Sequence, residues 1–271
     1  MSKPDLFPFT VLSWNSAKIK RKWEPIQREI QNAVAFAEYE GVKRGHRRCD
    51  VYQLDPHSFD HQIEKVFMDG LSYLPILRSQ LYPGFGHRHY LVEELKQDTF
   101  VYGVVGKTLE DAKLFKKASV GDVDHNQIGE LLGYPKCCRD WFLEVWLKEG
   151  SCDPMYETAL NTSNHEVNDD GSVTVGGNPK YNRLIRYFGL QAIPYFTCSY
   201  ECKESEKFID WFYGLMYEKA PDACEMLLEA LNMPMKWSLN NLIIYIEHPL
   251  FRGAANGYWY PEKREVHWRS E

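Results

Sequence analysis

The sequence contains no apolar run near the roughly 18 residues that span a bilayer. Its longest candidate, residues 242–246, has the length of a buried strand. The first residues, Met-Ser-Lys-Pro-Asp-Leu-Phe-Pro, have no apolar core of the kind a signal peptide carries. Positive charge is not in excess either. The 32 Lys and Arg stand against 38 Asp and Glu, for a formal net charge of -6. A general nucleic-acid binder needs surplus Lys and Arg to neutralise phosphates, so nucleic acid is not the expected partner. Two local basic runs remain: Lys18, Lys20, Arg21 and Lys22, and then Lys43, Arg44, His46, Arg47 and Arg48. Solvated surface is the commoner explanation for such runs. The chain shows no internal repeat and no clear linker. These absences point to a cytoplasmic protein with no membrane segment, folded as a single domain over residues 1–271, in a compartment that keeps thiols reduced.

The composition is that of a globular protein with a real core. Hydrophobic residues make up 44%, charged residues 26% and aromatics 14%, which leaves no long stretch polar enough to stay disordered. A first strand is expected around residues 9–14. A helix follows over 23–45, where Ile26, Ile30, Ala33 and Val34 fall at helical spacing. Residues 51–95 are broken repeatedly by Pro and Gly. The run 99–105 reads as a strand and 109–118 as a helix with Thr108 at its N-cap. Gly103 to Thr108 superficially resembles a phosphate loop, but Val101 stands where the leading glycine belongs. Short helices are expected at 126–132 and 136–148, and a long polar loop or small hairpin at 150–180. A helix at 181–188, a strand at 193–197 and helices at 204–219 and 222–231 come next. Strands at 242–246 and 258–268 close the chain. The sum is an α+β (mixed α/β) fold, helix-rich, with a small, mostly antiparallel sheet and a motif-bearing core at about residues 99–232.

The chain has seven cysteines, an odd and unevenly spaced set that favours ligands or reactive thiols over disulfides. Four of them form two groups. Gly-Tyr-Pro-Lys-Cys-Cys, residues 133–138, carries Cys137 and Cys138, and Thr-Cys-Ser-Tyr-Glu-Cys, residues 197–202, carries Cys198 and Cys202. Each pair stands where a turn gives way to a helix, and free N–H groups at a helix start favour thiolate. Small buried apolar residues are the plainer alternative. Zinc binds sulfur at about 2.3 Å in a tetrahedron, which sets ligand sulfurs roughly 3.8 Å apart. Neighbouring residues point in divergent directions, so Cys137 and Cys138 are awkward ligands for one ion. An iron–sulfur cluster, most simply 4Fe-4S, lets each bind a different iron. The expectation is an oxygen-sensitive iron–sulfur enzyme of the lyase, sulfur-transfer or redox class, acting on a small-molecule substrate. The alternatives are a zinc-stapled binding protein and, last, a vicinal-dithiol redox protein. Cys152 offers a spare ligand, whereas Cys49 and Cys224 look incidental.

The segment Leu132 to Cys138, followed by Cys198 to Cys202 and then Ser205, resembles an uncharacterised prokaryotic domain-of-unknown-function family. That family pairs Leu-Gly-Tyr-Pro-x-Cys-Cys with a later Cys-Ser-x-x-Cys. The resemblance covers about the middle third of the chain. It implies a shared site with the cysteines as its hallmark, and it brings no substrate.

Other donors stand outside the cysteines. His57 and His61 are four apart, and His87 and His89 two apart, which offers a second metal site with Asp60, Glu93 or Glu94 nearby. Surface loop histidines are the commoner explanation. Asp124 and His125 precede the Gly-Tyr-Pro turn and are candidates for acid or base, with N-capping as the alternative role for Asp124. Tyr134, Trp141, Phe142, Tyr195, Phe196 and Tyr200 are expected to form a dry shell over the cysteines.

Overall fold

The structure is a computed structural model that describes residues 10–55, 57–80, 90–91, 99–148, 154–240, 242–256 and 262–270. The long helix α1 (Ala17–Lys43) opens on Ser16, whose hydroxyl accepts from the Ile19 N–H at 3.2 Å. Its apolar residues then divide between two sheets. Ile30, Ala33, Val34 and Ala37 join the large core, and Tyr39 and Val42 join the smaller sheet.

The smaller sheet has four strands in the order β2 (Cys49–Leu54), β5 (Thr99–Gly106), β3 (Ser72–Gln80), β4 (Tyr90–Leu91), all antiparallel. Strand alternation sorts its side chains. Val101 and Val105 of β5 pack with Leu54 and Tyr39, and with Val66 of α2 (Phe59–Met68). Val104 and Cys49 face the other way, toward α3 (Leu109–Ser119) and α4 (His125–Leu131). Thr108 caps α3 as its sequence implies, accepting from the Asp111 N–H at 3.1 Å.

The expectation of a small sheet is corrected by the second one, which has seven strands. Its order is β1 (Thr10–Trp14), β10 (Phe251–Asn256), β9 (Ile243–Glu247), β8 (Met235–Asn240), β11 (Arg264–Trp268), β7 (Val173–Val175), β6 (His165–Val167). Only β7 and β11 run parallel. Helices α7 (Glu206–Lys219) and α8 (Pro221–Asn232) pack with α1 in its core, and α6 (Met155–Leu160) lies against β7 and β11. The sheet joins the two ends of the chain, since Thr10 pairs with Ala255.

Residues 181–197 form neither the helix nor the strand expected. Two short 3-10 turns, Pro179–Tyr181 and Arg186–Phe188, stand in irregular chain. Leu184, Ile185, Leu190 and Ile193 are nonetheless buried. Asn182 explains the departure. Its Oδ1 accepts from the Leu184 N–H at 3.0 Å and its Nδ2 donates to the Leu231 carbonyl at 2.7 Å, competing with a helical ladder.

The second basic run lies mostly on the surface, where its side chains pair with acids of the same chain. Arg47 is buried with Asp50 at 2.6 Å, Arg44 bonds Glu40 and Glu218, Lys43 pairs with Asp69, and Arg48 with Asp111. His46 stacks on Trp211 at 5.0 Å. No helix among the described residues is long and apolar enough to cross a membrane.

His248 closes the β9–β10 turn. It accepts from the Leu250 N–H through Nδ1 at 3.1 Å and donates from Nε2 to the Ala230 carbonyl at 3.0 Å. Burial holds it neutral and lowers its pKa from 6.5 to about 4. The folded state therefore binds fewer protons than the unfolded state between those values. The stability this contributes is complete above pH 6.5 and is lost as pH falls toward 4. Urea titrations at pH 7 and pH 4 should show His248→Asn losing less stability than the unsubstituted chain, by about 3 kcal/mol.

Candidate metal centre and its pocket

Helix α4 begins at Asp124, whose Oδ1 accepts from the Gln127 N–H at 2.9 Å. It ends in a Schellman turn. The Tyr134 N–H reaches the Gly129 carbonyl at 2.8 Å, and the Gly133 N–H reaches Glu130 at 2.9 Å. Gly133 has φ +78, which favours glycine, and a Cβ there would meet the Cβ of Arg47 at 3.3 Å. Pro135 then caps α5 (Lys136–Phe142), which continues as a π-helical turn over Leu143–Lys148. The Gly-Tyr-Pro segment thus reverses the chain and places Cys137 and Cys138 in the first turn of α5.

The second pair arrives on a loop. Cys198 and Cys202 flank a turn, and Cys202 precedes the 3-10 turn Lys203–Ser205 that leads into α7. The end of α6 and the two residues after it hold this loop. Thr158 Oγ1 donates to the Thr197 carbonyl at 3.2 Å and Asn161 Nδ2 to the Cys198 carbonyl at 2.8 Å. Thr162 Oγ1 accepts from the Tyr200 N–H at 3.0 Å. Gly177 has φ +150 and lies against Tyr200, where a Cβ would approach the Tyr200 carbonyl to 2.7 Å.

These two devices bring four sulfurs together. The ligand atoms of Cys137, Cys138, Cys198 and Cys202 all lie within 4.8 Å of one another. Three of their separations are 3.9 Å (Cys137 to Cys138), 3.7 Å (Cys137 to Cys202) and 3.6 Å (Cys138 to Cys202). Contiguity in the chain therefore does not splay the first pair. The three spacings match one face of a zinc–thiolate tetrahedron, whose edge is about 3.8 Å. A cubane carries its thiolates outward on separate irons and spaces them by roughly 6 Å.

Cys138 is buried and accepts two further contacts. The Cys198 N–H lies 3.4 Å from its sulfur, as does Ser205 Oγ, and the Tyr195 hydroxyl donates to Ser205 at 2.8 Å. In the protein alone the four thiols share their protons. Hydrogen bonds from Cys138 and then Cys198 hold the Cys202 thiol far below its usual range, while those to Cys198 and Cys202, with burial, push Cys138 far up. Burial and the charge on Cys202 also raise Cys137. One thiolate is thus stabilised at the expense of its neighbours, and a cation is what allows all four to ionise.

No family model, curated protein or solved structure matches the chain.

A pocket of about 290 Å³ reaches Cys138. His125, Gly129 and Arg139 contribute to one wall, and Arg183, Tyr195 and Phe196 to another. Of the residues expected to shield the cysteines, Tyr134 stacks on Tyr195 at 4.5 Å and Phe142 lies parallel to Phe196 at 6.2 Å. Tyr200 points elsewhere, edge-on to Trp268 at 5.1 Å.

The remaining candidates separate from the centre. Asp124 is exposed and serves as a cap, while His125 lines the pocket. His57 and His61 are exposed at α2, and His87 and His89 lie outside the described residues. Among the described residues no metal-holding group of His, Cys, Asp or Glu forms except the four cysteines. Cys152 also falls outside the described residues. Cys49 and Cys224 are buried in the core, and burial pushes their thiols up to about 12 and about 11.

Sequence inspection missed the polar side chains that support the loop, because Thr158, Asn161 and Thr162 sit in a stretch whose composition reads as loop. It also missed a charged group behind Tyr134. Arg47 donates to the Cys49 carbonyl at 2.7 Å and to Asp50 at 2.6 Å. Glu38 of α1 adjoins this pair. Burial and then the charge of Asp50 raise its carboxyl from 4.5 to about 8, against the opposing pull of Arg47 and Arg183. The folded state holds this proton where the unfolded state has lost it. The stability so gained is complete below pH 4.5 and is lost as pH rises toward 8. Glu38→Gln cannot titrate, so its urea midpoint should gain on the unsubstituted chain between pH 5 and pH 8. An unchanging difference would show the carboxyl ionised throughout.

Proposed function

We propose that Cys137, Cys138, Cys198 and Cys202 hold one tetrahedral divalent metal ion, zinc by the match of sulfur spacing, and that this centre staples the wall of a small-molecule site. The observation that carries the proposal is the triangle of sulfurs at 3.6, 3.7 and 3.9 Å, each near the edge of a four-thiolate tetrahedron. A site closed by four thiolates is structural in character. Here it ties α5 to the loop before α7, the two segments that flank the pocket. The Ser205 hydroxyl and the Cys198 N–H then act on the ligand Cys138, orienting its sulfur and spreading its charge. The resemblance of residues 132–138 and 198–205 to an uncharacterised prokaryotic family agrees with a shared cysteine site.

A second reading keeps the centre catalytic. Cys138 belongs both to the sulfur group and to the pocket wall. An iron–sulfur cluster at this position would sit beside a small-molecule substrate, as an enzyme of the lyase, sulfur-transfer or redox class requires. That reading needs the sulfurs to move apart to admit a cubane.

Anaerobic purification followed by metal and acid-labile sulfide analysis separates the two. The expected result is about one zinc per chain without sulfide. About four irons with matching sulfide, and broad absorbance near roughly 400 nm, would select the cluster enzyme. A chain that binds neither metal defeats both. Ser205→Ala should weaken metal affinity by about 10–100-fold in competition with a chromophoric chelator, since it removes a partner of a ligand sulfur. Cys137→Ser should lower the metal content, and chelation should lower the melting temperature of the unsubstituted protein.

A further inference from the structure

The four sulfurs of the centre are not equivalent. Cys138 and Cys202 are buried, whereas Cys137 and Cys198 are half-buried. A metal-bound cysteine stays a thiolate, and thiolate character together with exposure decides which cysteine an oxidant modifies. Exposure therefore directs a small oxidant to Cys137 or Cys198. The pocket also reaches Cys138, but the Cys198 N–H and Ser205 Oγ, each 3.4 Å from its sulfur, already draw on its charge. The Cys137 sulfur has other sulfurs for neighbours.

An oxidised sulfur must also find a thiolate to close on. Two stand beside Cys137. Cys138 lies 3.9 Å away but is the next residue, and a disulfide between adjacent residues closes a strained eight-membered ring. Cys202 lies 3.7 Å away and comes from a segment 65 residues along the chain. The two sulfurs would have to close by about 1.7 Å to reach a disulfide length of about 2.05 Å, which rotation about both Cα–Cβ bonds can supply. Cys198 shares its loop with Cys202, so a bridge between those two would close one short turn and join no second segment.

We propose that Cys137 is the site at which hydrogen peroxide modifies the protein, and that it closes on Cys202 and releases the zinc. The inference rests on the zinc staple proposed above and adds its regulation. The Cys137 thiolate attacks one peroxide oxygen. An S–O bond forms, the O–O bond breaks and hydroxide leaves. The Cys202 thiolate then attacks the Cys137 sulfur. The S–S bond forms, the S–O bond breaks and a second hydroxide leaves. Two thiolates have then given two electrons to one peroxide, and its two hydroxides take protons from solvent. Cys138 and Cys198 alone do not hold the ion, since a structural zinc site uses four ligands. The disulfide joins the two segments that the metal joined, α5 and the loop before α7. Oxidation thus exchanges one staple for another and leaves the pocket walls tied.

The test treats the purified zinc protein with a few equivalents of hydrogen peroxide, stopped by catalase. A chromophoric chelator reads the released zinc. Free thiols are alkylated, and trypsin with a glutamate-specific protease cuts after Lys136, Arg139 and Glu201, which separates Cys202 from Cys198. Fragment ions of the cross-linked peptide then show whether Cys137 or Cys138 carries the alkyl group. The expected result is about one zinc released per disulfide, a Cys137–Cys202 cross-link, and recovery of the zinc protein with a thiol reductant and added zinc. The oxidised, zinc-free protein should melt about 4–8 °C above the reduced protein stripped by a chelator, because the cross-link closes a long loop. Cys152→Ser should behave as the unsubstituted chain does. Zinc retained after peroxide, a cross-link through Cys138, Cys152 or Cys198 in place of this pair, sulfinic acid without a disulfide, or an oxidised protein that melts no higher than the chelated one each overturn the inference. Zinc content before peroxide separates the two failures. Zinc present at the start with any of these outcomes defeats the inference alone, and zinc absent at the start defeats the stapled site and the inference with it.

Discussion

Four sulfur atoms within 4.8 Å of one another impose a constraint that the surrounding chain must satisfy. Ionised together without a cation they repel, and protonated together they give up most of their chemistry. The fold brings them together by two independent local devices. A Schellman turn and a proline deliver one pair on the first turn of α5. Three polar side chains from α6 and its C-terminal end hold the loop that delivers the other. Neither device depends on the other pair. Their meeting depends on the seven-strand sheet and α7, which fix where the loop lies relative to α5.

The readable parts of the sequence were those whose cause is local. Thr108 and Asp124 cap the helices that follow them, and Gly133 and Pro135 mark a stop and a start separated by one residue. Each feature involves groups within about one helical turn, so spacing suffices to find it. The large sheet has no such signature. Strand β1 pairs with β10 across most of the chain, and β7 pairs with β11, so its size follows from partners that no window contains. Residues 181–197 misled for a related reason. Their apolar side chains are buried, but Asn182 uses its amide on nearby and distant backbone, and the chain stays irregular. The four-cysteine grouping is legible, whereas the positions of the sulfurs, and with them the identity of the metal, are not. Divergence of adjacent Cα–Cβ bonds does not fix the sulfurs, because each thiol lies one further rotatable bond away.

The charged group behind Tyr134 links the smaller sheet to the centre. Arg47 spans from α1 to β2 and abuts Gly133, while the Arg48 N–H donates to the Leu131 carbonyl at 3.1 Å. The turn that positions the first cysteine pair thus rests on the strand that begins at Cys49. Of the basic run, Lys43, Arg44, His46 and Arg48 lie on the surface, as solvated residues do, and Arg47 alone is buried. Breaking one side of the buried Arg47–Asp50 pair would leave a charge without its partner, at a cost of about 3–5 kcal/mol.

The position of the pocket fits the structural metal proposed for the four cysteines. Residues 194–196 form one wall in irregular backbone, and Phe142 and Arg139 come from α5, which passes directly into the π-helical turn Leu143–Lys148. A helical run of that length is marginal by itself, and irregular chain gains nothing from a strand ladder. A metal held by Cys137 and Cys138 on one side and Cys198 and Cys202 on the other would link the two walls a few residues from the pocket. It would reduce the number of arrangements open to Arg139, Phe142 and Phe196, so that a ligand would meet less ordering cost on binding. The centre would thereby tune the affinity of the pocket through the order of its walls.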